Sequence, residues 1–198
     1  MWSKRKSNVG WLVGAASRPR PVLLAIVIVA GTPLVQGLAA EIAPPRDWEF
    51  IIIHHSATST GSAAAFDAAH RARGMINGLA YHFVIDNGTD GMPDGFIETG
   101  SRWIKQMHGG HCRQAHINER GIGICLVGNF SHGEPTAKQL DALVLLIRGL
   151  QDQFKIPDDH ILGHGEVIGE FSECPGHEFP WEKLRNRLKE KPTANARE

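Results

Sequence analysis

The sequence predicts an α/β fold: a mixed central β-sheet flanked by helices, in a single domain. Three observations predict it. Apolar runs of strand length occur at Phe50–Ile53, Leu79–Asp86 and Gly121–Val127. Helical patterns fall between and after them, and such alternation puts helices on the faces of a sheet. The composition, 42% hydrophobic and 21% charged, is that of an ordinary globular chain.

Taken in order, residues 1–40 read as a targeting segment. Five basic residues (Lys4, Arg5, Lys6, Arg18, Arg20) precede or flank an uncharged run from Pro21 to Ala40. Val22–Ala30 is continuously apolar, and Gly37-Leu38-Ala39-Ala40 offers small residues for cleavage. A cleaved signal peptide and a retained N-terminal membrane anchor both fit, and both predict export of the domain into the cell envelope. Residues 41–47, with Pro44-Pro45-Arg46-Asp47, read as a linker. The domain then occupies 48–190, and 191–198 read as a frayed tail.

Phe50–Ile53 is unbroken by polar residues, as expected of a central strand covered on both faces. Ser62 to Arg73 is alanine-rich, with Ser62 as N-cap and Gly74 as stop. Asn87-Gly88 closes the second strand, and Phe96-Ile97-Glu98 is a short return strand after turn residues. Gly128-Asn129 ends the third apolar run. Thr136-Ala137-Lys138-Gln139 is a capping-box pattern. The helix it opens places Leu140, Leu143, Ile147, Leu150 and Phe154 on one stripe. Ile161-Leu162 suggests another strand and Trp181–Leu188 a last helix.

Charge narrows the partners. With no acidic residue in 1–40, the remainder carries sixteen basic against twenty-one acidic groups. A mildly acidic domain lacks the basic face that nucleic acid requires, so no nucleic-acid partner is expected. Three cysteines make no disulfide framework, and an exported chain with an odd thiol invites a metal ligand.

The chemistry-bearing residues are histidines and cysteines. His54 and His55 end the first strand, and strand alternation points their imidazoles to opposite faces. Taken alone, the pair reads as two polar residues at a strand end. His164 follows Ile161-Leu162, and Cys174 follows it with nine residues between. A catalytic zinc takes three protein ligands and an open position, which His54, His164 and Cys174 would meet; a small buried thiol is the alternative for Cys174.

Five blocks occur in series: I-I-I-H-H-S-A-T (51–58), G-L-A-Y-H-F-V-I-D (78–86), G-I-G-I-C-L-V-G-N-F (121–130), L-G-H-G-E-V (162–167) and E-C-P-G (173–176). The series resembles the N-acetylmuramoyl-L-alanine amidases, the type shared by amidase-like phage lysozymes, AmpD-type enzymes and peptidoglycan-recognition proteins. It spans about residues 48–188. The resemblance implies a zinc-dependent hydrolase that cuts the amide between N-acetylmuramic acid and L-alanine. It implies Zn2+ ligation by His54, His164 and Cys174, and places Tyr81 beside the metal. Ser172 stands where phage and AmpD-type enzymes carry lysine, so its hydroxyl is the implied oxyanion donor. Val127 replaces a glutamate of AmpD-type enzymes, which argues against an intracellular recycling role. His111 in G-G-H matches a position near the substrate groove, and His55 is a second groove candidate.

The implied partners are peptidoglycan and muropeptides, and a monomer is expected. Other readings are a peptidoglycan-binding module without turnover, or a zinc peptidase cutting within the stem peptide. His70 and His132 are expected in solvent. Cys125 reads as a buried thiol, with a Cys112–Cys125 disulfide left open. Trp103 fits either a sugar-stacking or a core role.

Overall fold

A computed structural model describes residues 43–190. The targeting segment, the first two residues of the linker and the C-terminal tail lie outside the described residues. The elements run β1 (Phe50–His55), α1 (Ala63–Ala72), β2 (Phe83–Asn87), β3 (Asp94–Thr99), α2 (Ser101–Ile104), α3 (Ala115–Arg120), β4 (Gly121–Leu126), α4 (Ala137–Phe154), β5 (Ile161–Gly163) and α5 (Trp181–Lys189). Short 3-10 turns flank β5 at Asp158–His160 and His164–Glu166.

The five strands line up as β3-β2-β4-β1-β5. β1 pairs in parallel with β4 and β5, and β2 in parallel with β4, whereas β3 returns antiparallel on β2. The mixed sheet with flanking helices is the predicted architecture. β1 and β4 are central, which is why Ile51, Ile52, Ile53, Ile122, Ile124 and Leu126 have no exposed surface.

Alternation sorts the side chains onto two faces. Ile51, Ile53, Phe83, Ile85, Ile122, Ile124 and Leu126 pack with Leu140, Leu143, Val144, Ile147 and Leu150 of α4 and Leu184 of α5. That is the main core, and the predicted apolar stripe of α4 is its other half. The opposite face carries smaller clusters: Leu79, Val84, Cys125 and Val127, and Ile52, Ile117 and Val167.

The capping signals act as read. Ser62 accepts the Ala65 N–H at 3.3 Å. Thr136 and Gln139 exchange the reciprocal bonds of a capping box. The buried Gln139 amide also donates to the carbonyls of Ile85 and Val127, tying α4 to the carboxyl ends of β2 and β4.

The second strand starts later than the apolar run suggests, at Phe83 instead of Leu79. The reason is that α1 claims the backbone before it. Leu79 N–H donates to Asp67 and Ala80 N–H donates to His70 Nδ1. His70 is therefore buried, not solvated as expected, and burial lowers its pKa. Burying an imidazole is acceptable here because it satisfies an otherwise orphaned N–H. His132 is exposed, as expected. Trp103 lies in the core between Trp48, Phe83 and Phe154, away from any sugar-stacking surface. The helices α2 and α3 were not anticipated, since four and six residues are too few to show a period.

Candidate metal centre

His54 is the last buried residue of β1. Strand alternation carries it, with Ile52, onto the face opposite α4. His55 points to the other face, where its Nδ1 accepts the Phe130 N–H at 3.1 Å. The two imidazoles thus diverge, and the His55 ring packs on Phe130. His55 reaches the centre through its backbone, whose N–H donates to Cys174 Sγ at 3.3 Å.

His164 and Cys174 come from the segment after β5. The His164 ring lies 4.6 Å from the His54 ring, centroid to centroid. Cys174 Sγ is 3.8 Å from His54 Nδ1. One donor atom from each of His54, His164 and Cys174 falls within 4.8 Å of the other two. Residues 120 apart in sequence converge because β5 and β1 are parallel neighbours that deliver both segments to the same sheet end.

Two further donor sets overlap this one: His54, His111 and Cys112, and Cys112, His164 and Glu170. Their lone pairs are more fully claimed. His111 Nε2 donates to the Gly121 carbonyl, leaving Nδ1 as the acceptor for His54 Nε2–H at 3.1 Å. Glu170 accepts the N–H groups of Arg113 and Gln114 and faces His164 Nε2. With His54 protonated on Nε2, its Nδ1 lone pair is free and aimed at Cys174. Two imidazoles and a thiol are a donor set that suits zinc.

The electrostatics agree with ligation. Burial, then repulsion from His111, His164 and His55, holds the His54 pKa well below its ordinary value, so the ring stays neutral. Burial pushes the Cys174 thiol up to about 11, although the His55 N–H opposes the shift. Only a nearby cation would ionise it near neutral pH.

Sequence reasoning put His111 at the groove. In the structure its ring is buried behind His54, and burial lowers its pKa to about 3. Gly123 makes the room: a Cβ there would overlap the imidazole. Asn118 pins the preceding loop, accepting the His111 and Cys112 N–H groups and donating to the Cys112 carbonyl.

Tyr81 sits against His54, with ring centroids 5.1 Å apart, and between His70 and His111. Its hydroxyl is next to the Cys125 thiol, and burial raises its pKa well above the ordinary phenol value. Ser172 is exposed, and its Oγ accepts the Cys174 N–H at 3.1 Å. All three cysteines are free, so no Cys112–Cys125 disulfide forms. Cys125 packs with Leu79, Val84 and Val127, whereas Cys112 lies beside Ile52 and Ile117.

Glu170 and Cys112 escaped the sequence reading as members of the cluster. An acidic residue between two ligand candidates was the available signal. Glu166, Glu170 and Glu173 all qualify, and only the fold distinguishes them. A cleft of about 380 Å³ opens nearby, lined by Met75, Ile76, Arg102, Gly110, Asn118 and Glu119 among others. None of His54, His164 and Cys174 lines it.

Comparison with known proteins gives a consistent result. The profile of the N-acetylmuramoyl-L-alanine amidase family matches residues 44–177. A peptidoglycan recognition protein of Trichoplusia ni is 34% identical over 148 residues, covering 73% of this chain and 75% of that one. Among solved structures, the N-acetylmuramoyl-L-alanine amidase LysC from Clostridium intestinale URNW superposes with a TM-score of 0.63. It has 28% identity, over 82% of this chain and 96% of that one. Bumblebee PGRP-SA shares the fold, with a TM-score of 0.57 at 22% identity over 74% of this chain and 86% of that one.

Proposed function

Because the chain belongs to the N-acetylmuramoyl-L-alanine amidase family, we propose that it hydrolyses the amide between N-acetylmuramic acid and L-alanine in peptidoglycan, using one Zn2+. The convergence of His54, His164 and Cys174, with the lone pairs of this set least claimed by other groups, carries the reading. When bound, the metal supplies an activated water at neutral pH and polarises the scissile carbonyl.

The protein's own groups do the rest. His54 and His164 would hold the ion as neutral imidazoles, each anchored through Nε2. Cys174 would hold it as a thiolate, steadied by the His55 N–H. Tyr81 keeps its proton at any physiological pH, because burial disfavours the phenolate. It therefore donates a hydrogen bond and never competes as an anion. The Ser172 hydroxyl accepts from Cys174 N–H, and its own proton remains available for an oxyanion forming at the exposed side.

The N-terminal basic residues and the uncharged run after them support export of the domain to the cell envelope, with or without retained anchoring. Likeness to a peptidoglycan recognition protein supports a second reading, binding without turnover. One experiment separates the two. The domain from residue 41 is purified, its zinc content measured, and purified peptidoglycan digested with and without chelator. Mass spectrometry should show free stem peptides beginning at L-alanine, lost on chelation. Binding of muropeptide without release selects the second reading. Cleavage inside the peptide would make the enzyme a peptidase.

A further inference from the structure

We propose that Glu170 is the positioning residue of the metal centre, orienting His164 and tying the ligand-bearing segment to the start of α3. The inference rests on the zinc reading above.

Glu170 lies in the stretch between two proposed ligands. Its side chain is only 2% exposed, whereas the flanking Ile168 and Phe171 stand almost wholly in solvent. A carboxylate is buried there because each oxygen has work. Oε2 faces His164 Nε2 at 3.1 Å. Oε1 accepts the Arg113 N–H at 2.5 Å and the Gln114 N–H at 3.1 Å. Those amides precede α3, whose N-cap Gln114 has no side-chain cap bond. The carboxylate thus satisfies helix-terminal donors and a ligand imidazole at once.

The chemical consequence is a fixed tautomer. A carboxylate offers only lone pairs, so His164 must carry its proton on Nε2. Its Nδ1 is then the free donor, matching the arrangement that His111 imposes on His54. Carboxylates that accept from a metal-ligating histidine fix ring orientation and raise ligand basicity. Here the effect has a mechanical side as well. Gly165 N–H donates to the Cys174 carbonyl, closing the segment into a loop. Val167 and Glu170 are its buried anchors, and only Glu170 also touches a ligand side chain.

The test uses the domain in its zinc-free and zinc-loaded forms. Zinc affinity is measured by competition with a chromogenic chelator, and the Co2+ form is followed by visible absorption. Glu170→Gln keeps the shape but removes one lone-pair set and the charge. It should bind zinc 10- to 100-fold more weakly, with a changed Co2+ spectrum, while its zinc-free form melts close to wild type. Glu170→Asp, too short to span both partners, should rescue only part of the affinity. Wild-type affinity and spectrum in Glu170→Gln would overturn the inference and leave the zinc reading intact. Unchanged affinity with a lowered zinc-free melting temperature would overturn it too, reducing Glu170 to a loop anchor. A wild-type domain that binds no zinc would remove both.

Discussion

The two sources of the candidate metal centre are built differently. His54 stands at the end of a strand paired on both sides, 2% exposed, and its ring is held by His111 and the Tyr81 face. His164 and Cys174 ride on a half-exposed segment whose exposed residues include Ile168, Phe171 and Ser172. The sheet positions the first proposed ligand as a by-product of folding. The second and third need individual hydrogen bonds, from Glu170, the His55 N–H and Ser172 Oγ. A site made this way divides its demands: the core sets where the centre is, and the segment sets whether it closes.

The largest expected effect breaks the segment side outright. Cys174→Ala should abolish hydrolysis and zinc retention, whereas Cys125→Ser, whose thiol faces Leu79, Val84 and Val127, should chiefly lower stability. Elemental analysis beside a muropeptide release assay measures this. Native turnover in the Cys174 variant would remove it from the ligand set.

A donor held by the core should matter more than one held by the segment. Losing one oxyanion donor typically costs roughly 10²–10³ in kcat. Tyr81→Phe, whose ring is clamped between His54 and His70, should approach that range. Ser172→Ala, on the exposed segment, should lose about tenfold, about 1.4 kcal/mol of transition-state stabilisation. Zinc content should hold in both. Single-turnover rates decide the order, and a larger loss at Ser172 would reverse the division of labour proposed here.

A smaller effect sharpens the core side. A Cβ on Gly123 overlaps the His111 ring. Gly123→Ala should therefore destabilise the zinc-free domain by roughly 1–3 kcal/mol, the usual cost of overpacking, and loosen zinc through His54. Denaturation and chelator competition should move together. Stability lost with zinc affinity unchanged would show that His111 does not hold His54 in place.

The smallest effect concerns another buried polar group on the sheet. His54 has a neighbour at each nitrogen, whereas both oxygens of Asp86, fully buried on β2, lack a hydrogen-bond partner. Burial, then the neighbouring Glu98 and Asp90 carboxylates, raises its pKa to about 7. Folded Asp86 thus binds a proton that the unfolded chain has lost above about pH 4. Its contribution weakens the fold as pH rises from about 4 to about 7 and stays at its worst above that. Asp86→Asn should relieve this, adding on the order of 1 kcal/mol at pH 8 relative to its effect at pH 4. Urea denaturation of the zinc-free domain at both pH values checks the sign.

From the sequence alone one reads the α/β alternation, β1 as a central strand, the capping box of α4, and His54, His164 and Cys174 as candidates. Those features are local: apolar periodicity, cap chemistry and short blocks around each residue. Tertiary structure decided what the blocks do to one another. It buried His70 to satisfy Ala80, set the buried His111 ring against His54, and chose Glu170 from three glutamates. None of these is legible in one dimension, because each depends on hydrogen-bond partners brought together from separate segments. A buried polar group must find a partner wherever the packed chain offers one, and only the fold says which residue that is.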